Sequence, residues 1–245
     1  MCGRFTIRTP LHELIPEFDL DEAPPELEPR FNVAPTQAAL VVRASERRRR
    51  LELLRWGLVP RWAADLKVGA RMINARSETA PTRPAFREAF AQRRCLVLAD
   101  GFYEWRPEAR ARRPLHIRRP DGRPFAMAGL WERWRGREDD PWVETCCVLT
   151  TEASARVAAV HDRMPALLLE RDAIARWLDP AAAQDDLRAL LRPAPDDALD
   201  LVPVATWVND VRHEGARCLD PPGSSDASPR EAGPARAGPE QLELF

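Results

Sequence analysis

The chain has 245 residues, 44% hydrophobic and 31% charged, with a formal net charge of −1, which suits a folded protein with a sizeable core in one large domain or two small ones. No run approaches eighteen uninterrupted apolar residues and no apolar stretch follows the amino terminus, so neither a transmembrane helix nor a secretory signal is expected. The near-neutral total hides an asymmetry. From Arg43 to Arg137 there are 24 Lys or Arg against 10 Asp or Glu, a net of +14, whereas residues 1–42 carry −4 and residues 138–245 carry −11. A basic block suits phosphate, but arginines on ordinary solvated faces give the same count, so charge alone does not choose. Five cysteines (Cys2, Cys95, Cys146, Cys147, Cys218) form an odd set without C-x-x-C spacing. That argues against a disulfide framework or a zinc site and for a reducing cytoplasm; no cofactor or metal is expected.

In chain order, LHELIPEF predicts a short helix. ALVVRA (39–44) and LELLRWGLV (51–59) read as two strands joined across a turn at Arg47–Arg50. A helix follows around Arg83–Gln92. CLVLADGFYEW (95–105) is an apolar strand, a break at Asp100-Gly101 and an aromatic continuation. PLHIRRPDGRPFAMAGLWERW (114–134) predicts a hairpin turning at Asp121-Gly122. VETCCVLTTE (143–152) is a further strand, with Cys146 and Cys147 packing on opposite faces. ERDAIARWL (170–178) and AAAQDDLRALL (181–191) have helical spacing, and DLVPVATWV (200–208) returns to strand. Strands outnumber helices without alternating with them. The fold class is therefore α+β: a single domain over 1–220 with a curved, largely antiparallel, barrel-like sheet flanked by helices. Residues 221–245 are rich in Pro, Gly, Ala and Ser and are expected to be a disordered tail.

Several short stretches carry potential chemistry. MCGRF places Cys2 directly after Met1, so removal of Met1 would leave a thiol and a free α-amine on one residue. RFNVAPTQ (30–37) is a turn-rich loop, and RWGLVPRW holds two tryptophans suited to a core. RMINARSETA (71–80) alternates Asn74, Arg76 and Glu78, which share a face if extended. DGFYEW sets Glu104 between Tyr103 and Trp105, where it could be catalytic or simply exposed on an alternating strand. VHDRMP places His161 after a helix and before a turn, where a helix-capping role is the plain alternative.

In this order, MCGRF, RFNVAPTQ, WGLVPRW, INARSET, DGFYEW and HDRMP resemble the SOS-response-associated peptidase family, from Cys2 to about Asp220. The resemblance implies a DNA-repair protein that captures abasic sites in single-stranded DNA by a covalent link through its amino-terminal cysteine, protecting the lesion during replication, with cleavage at the site as a further possible activity. It implies Cys2, Asn74, Glu104 and His161 as catalytic residues, and Arg4, Asn32, Pro35, Trp62, Arg76 and Thr150 as DNA-binding residues. A bacterial cytoplasm, at the nucleoid's replication forks, would be its setting. Met164 and His213 depart from the family pattern. The competing readings are a cysteine peptidase limited to amino-terminal self-processing and an amino-terminal-nucleophile amidotransferase; the latter needs an Asn-Gly turn, and the sequence has none. A non-enzymatic single-strand-binding module is a third. Finally, the terminal QLELF, with Gln241, Leu242, Leu244 and Phe245, resembles the peptide by which bacterial repair proteins bind the sliding clamp. A tether of roughly 20 residues would span on the order of 25 Å.

Overall fold

The computed structural model describes residues 2–45, 48–108 and 112–224. In chain order its strands are β1 (Phe5–Ile7), β2 (Arg30–Val33), β3 (Ala38–Ser45), β4 (Arg48–Trp56), β5 (Asn74–Arg76), β6 (Arg94–Ala99) and β7 (Gly101–Pro107). There follow β8 (Arg112–Arg118), β9 (Phe125–Trp134), β10 (Val143–Glu152), β11 (Arg163–Pro165), β12 (Leu167–Leu168) and β13 (Asp200–Pro203). The helices are α1 (Leu11–Phe18), α2 (Arg87–Gln92), α3 (Ala155–Ala158), α4 (Arg171–Leu178) and α5 (Gln184–Leu190).

The strands form two curved sheets. In the larger, β10 pairs with β4, β4 with β3, β3 with β6, β6 with β9, and β9 with β10 again, so these strands close into a barrel. Closure removes the exposed edges that an open sheet of such apolar strands would present. Most pairs are antiparallel; β10 runs parallel to β4 and β5. The smaller sheet has the order β13-β8-β7-β1-β2, all antiparallel. Helices flank the barrel. α4 places Ile174, Trp177 and Leu178 at i, i+3 and i+4, all buried, and Trp177 donates its indole N–H to the Cys95 carbonyl at 2.9 Å. The architecture is the α+β one that the strand-rich sequence predicts.

Four local expectations are corrected. β8 and β9 do not form a hairpin: β8 pairs with β7 and β13, β9 with β6, β10 and β12. Asp121-Gly122 does turn the chain, but it carries it from one sheet to the other. The arginines at 48–50 are not a turn; they lie in β4, opposite Ser45, Ala44 and Arg43. The strand read over 51–59 stops at Trp56, because Gly57 takes a positive φ of 127°. A Cβ there would lie 2.5 Å from the Gly69 carbonyl oxygen, so two glycines allow this backbone crossing. The last strand likewise ends at Pro203 and gives way to a 3-10 turn over Thr206–Asn209. The QLELF peptide lies outside the described residues. Among those described, no helix is long and apolar enough to cross a membrane.

Candidate active site

β1 is short and lies between β2 and β7, so the amino terminus runs antiparallel along β7. Phe5 faces Phe102, and the Tyr103 N–H donates to the Arg4 carbonyl at 2.9 Å. The strand pairing ends there; Cys2 packs in the barrel core cluster with Phe5 and Phe102, where the Glu104 charge acts on its thiol. Asn74, at the start of β5 in the other sheet, donates from Nδ2 to the Cys2 carbonyl at 2.8 Å. The site therefore sits on the seam between the sheets. Cys2 is fully buried, and its thiol lies 3.9 Å from the Arg4 carbonyl. Burial, reinforced by the Glu104 carboxylate, pushes the thiol far above its usual range.

Alternation along β7 separates its side chains. Tyr103 and Trp105 point into a small cluster with Val204, Val208 and Cys218, where the Tyr103 hydroxyl donates to the Phe31 carbonyl at 2.8 Å. Glu104 points the other way, with Phe102, and is 4% exposed. Burial raises its carboxyl to about 7, with Asp162 adding to the rise and the Trp105 backbone holding it down. His161 follows α3, its N–H bonded to the Val157 carbonyl at 3.1 Å. Its Nδ1 lies 3.0 Å from the Arg163 backbone nitrogen, whose N–H it accepts when Nδ1 is unprotonated. Asp162 lies 2.8 Å from the same Nδ1 and accepts from it when that nitrogen carries the proton, so the two neighbours favour opposite tautomers. Burial, then the amino-terminal charge, lowers the His161 pKa, so the neutral form prevails at neutral pH. The Asn74 amide oxygen is buried and has no hydrogen-bond partner among the described residues. It is an acceptor available to a hydroxyl or an ammonium.

The six residues linked to DNA by resemblance fall into different settings. Arg76 is exposed on β5, and no ion pair or side-chain hydrogen bond engages its guanidinium among the described residues. Trp62 is 65% exposed on the loop after β4, and Pro35 is half-buried at a turn where Thr36 has φ 72°. Trp56 rather than Trp62 is the core tryptophan of RWGLVPRW. Arg4 is tied down: its guanidinium donates to Asn32 Oδ1 (2.7 Å) and to the carbonyls of Val208 (2.8 Å) and Asn209 (3.1 Å). Asn32 is fully buried, and its Nδ2 donates to the carbonyls of Asp210 (3.0 Å) and His213 (2.9 Å). Thr150 is buried where β10 meets β5 and β11.

Sequence reasoning missed Arg163, which binds both carboxylate oxygens of Glu78, at 2.7 and 3.0 Å, and also donates to the Thr150 carbonyl. Its position inside HDRMP was the available signal. Met164 is core, its sulfur accepting the Ser154 N–H, and His213 stacks on Trp207 with ring centroids 3.4 Å apart. Among the described residues no cluster of His, Cys, Asp or Glu could hold a metal.

Comparison with known proteins gives the family and the fold. The family model for SOS response associated peptidase (SRAP) matches residues 1–211. The abasic site processing protein YoaM of Bacillus subtilis is 40% identical over 224 residues, covering 90% of this chain and 98% of that protein. The abasic site processing protein YedK of Escherichia coli is 29% identical, covering 90% and 100%. A crystal structure of a protein from Bacteroides thetaiotaomicron shares the fold, with a TM-score of 0.79 at 21% identity over 90% of this chain and 99% of that one. With its motifs in order and the family match spanning most of its length, the chain belongs to the SOS response associated peptidase family.

Proposed function

We propose that this protein processes abasic sites, capturing them in single-stranded DNA as a covalent thiazolidine on Cys2 once Met1 has been removed. The observation that carries the reading is the setting of Cys2: its carbonyl is held by Asn74, and the charge of Glu104, a carboxyl raised to about 7, is felt by its thiol. An abasic deoxyribose opens to an aldehyde. The α-amine of Cys2 adds to C1′, and the carbinolamine loses water to give an imine. The thiol then adds to the same carbon, its proton passing to the ring nitrogen, and closes a five-membered ring. Atoms balance with one water released and no redox change. The second addition is intramolecular, which brings a large effective concentration. Glu104 suits both proton transfers, taking a proton from the attacking amine and returning one to the departing hydroxyl. Neutral His161 suits proton exchange at the sugar ring oxygen. Asn74 would orient the amine and a sugar hydroxyl without adding charge, and Arg76 would bind a flanking phosphate.

The buried, strongly protonated Cys2 thiol favours attack by the amine first, and counts against a peptidase that needs a resting thiolate. A single-stranded oligonucleotide with one abasic site tests the proposal by denaturing electrophoresis. Wild type is expected to give a stable covalent species without reductant. Cys2→Ala should lose it, retaining at most a borohydride-trapped imine, and an uncleaved residue placed before Cys2 should lose both. A normal stable adduct from either variant would refute the mechanism.

The domain assignment belongs to the same proposal: residues 1–220 for capture and DNA binding, and 221–245 to carry a clamp-binding peptide through Gln241, Leu242, Leu244 and Phe245. Leucines and phenylalanine would fill an apolar cleft, and tethering would raise the local concentration at forks. Deleting residues 241–245 is expected to abolish binding to the sliding clamp of the source organism and leave capture unchanged. Equal clamp binding by both forms removes the clamp from the account.

A further inference from the structure

The hydrogen bonds behind the amino-terminal strand converge on a buried carboxylate that the capture chemistry does not use. Asp100 lies between β6 and β7 and is 2% exposed. Its Oδ1 accepts from the Thr6 hydroxyl at 2.5 Å. Its Oδ2 accepts from the backbone N–H groups of Arg8 (2.6 Å) and Thr9 (3.0 Å) and from the Thr9 hydroxyl (3.1 Å). Thr6 Oγ1 also lies 3.0 Å from His116 Nε2 on β8. A hydroxyl has one proton. With that proton directed to Asp100, the oxygen accepts from the ring, so the bonds run from His116 through Thr6 to Asp100. Burial lowers the His116 pKa to about 4, consistent with a neutral ring. Gly101 makes room for it, since a Cβ there would fall on the imidazole. A hydroxyl, an imidazole and a carboxylate are the groups of a nucleophile set, but here the hydroxyl stands in the middle and all three are sealed in the interior. No substrate reaches them. What they can do is hold the strand.

That strand needs holding. β1 has three residues, and its pairing with β2 shifts register between Phe5 and Ile7. A slip of one residue against β7 would turn the side chains of β1 to the opposite face and shift the segment carrying Cys2 by one residue relative to Glu104 and Asn74. We propose that the His116–Thr6–Asp100 node pins the register of β1 on β7, making Thr6 and Asp100 positioning residues that hold Cys2 beside Glu104 and the Asn74 amide. The inference rests on the reading of Cys2 as the attachment residue.

Thr6→Val keeps the side-chain shape and removes the hydroxyl, while Thr6→Ser keeps the hydroxyl. Three quantities are read on the full chain: the maximal rate of covalent capture on saturating abasic single-stranded DNA, affinity for a tetrahydrofuran abasic analogue, and hydrogen exchange at the Tyr103 amide. Thr6→Val is expected to slow capture at least tenfold and speed Tyr103 exchange at least tenfold, with analogue affinity within twofold and the barrel amide of Val97 unchanged. Thr6→Ser should stay within threefold of wild type in all of them. Full-rate capture by Thr6→Val, unchanged Tyr103 exchange, or a serine variant as impaired as the valine one would each overturn the pin. If wild type itself formed no adduct, the reading of Cys2 would fail, and Tyr103 exchange alone would decide whether the node sets the register.

Discussion

Glu104 couples catalysis to stability, and the coupling has a definite sign. Its carboxyl titrates near 7 in the folded protein against an ordinary value of 4.5. Between those values the native state keeps a proton that the unfolded chain has released, so stability falls as pH rises through this window. Above about pH 7 both states are ionised and the penalty is constant, up to about 3 kcal/mol. Glu104→Gln removes it. The variant is expected to melt several degrees higher than wild type at pH 8 and at the same temperature at pH 4, while capturing abasic DNA at least 100-fold more slowly at pH 7. Equal melting temperatures at pH 8 would mean that the carboxylate is well solvated, and its role as a tuned acid and base would lose its basis. Gain of stability with loss of activity is what a strained functional residue predicts. The motif DGFYEW pointed to Glu104, but only its orientation, away from the cluster around Tyr103, explains why its pKa rises.

The 57–72 loop, which carries exposed Trp62 and leads into β5, depends on a crossing of two backbones at Gly57 and Gly69. Gly57→Ala meets both a positive φ and the Gly69 carbonyl oxygen, so it should cost at least about 2 kcal/mol. Thermal melting checks this, with a fall of about 4–8 °C expected for a domain of this size. An unchanged melting temperature would show that the loop rearranges freely. Individual elements were readable because their signals are local: the apolar run of 95–99, the helical spacing of Ile174, Trp177 and Leu178, the turn at Asp121-Gly122. Pairing was not. A turn signal states that the chain reverses, but partner choice is decided by side chains far off in sequence, and β8 and β9 go to different sheets. The same limit hid the Thr6 node, whose members lie at 6, 100 and 116, whereas Cys2, Asn74, Glu104 and His161 were each marked by a compact motif.

Over the whole molecule, the basic block from Arg43 to Arg137 is neutralised in part on folding. Arg43 binds Glu52 and Glu144, Arg49 reaches Asp19, Arg50 reaches Glu22, Arg123 reaches Glu17, and Arg61 and Arg93 share Glu132. Arg94 spends its guanidinium on the carbonyls of Phe90, Ala91, Trp177 and Asp179. Several of these acids come from the flanking acidic blocks, so the asymmetry along the chain is partly cancelled in space. Other cations of the block, among them Arg71, Arg76, Arg83, Arg87 and Arg106, are exposed and join no ion pair among the described residues, so they remain for phosphate. Each phosphate neutralised on a single strand contributes about 0.7 to the slope of log affinity against log salt. Arg76, exposed beside Asn74, is expected to contribute one such contact: Arg76→Ala should weaken binding to the abasic analogue and lower the slope by about 0.7. Arg43→Ala should instead leave the slope unchanged and lower the melting temperature, because it leaves Glu52 and Glu144 without their cation near the end of the barrel. Titrations at four salt concentrations on wild type and both variants separate the two behaviours. An Arg76 variant with the wild-type slope would place the phosphate path elsewhere, and an Arg43 variant with a reduced slope would show that its ion pairs open to receive DNA.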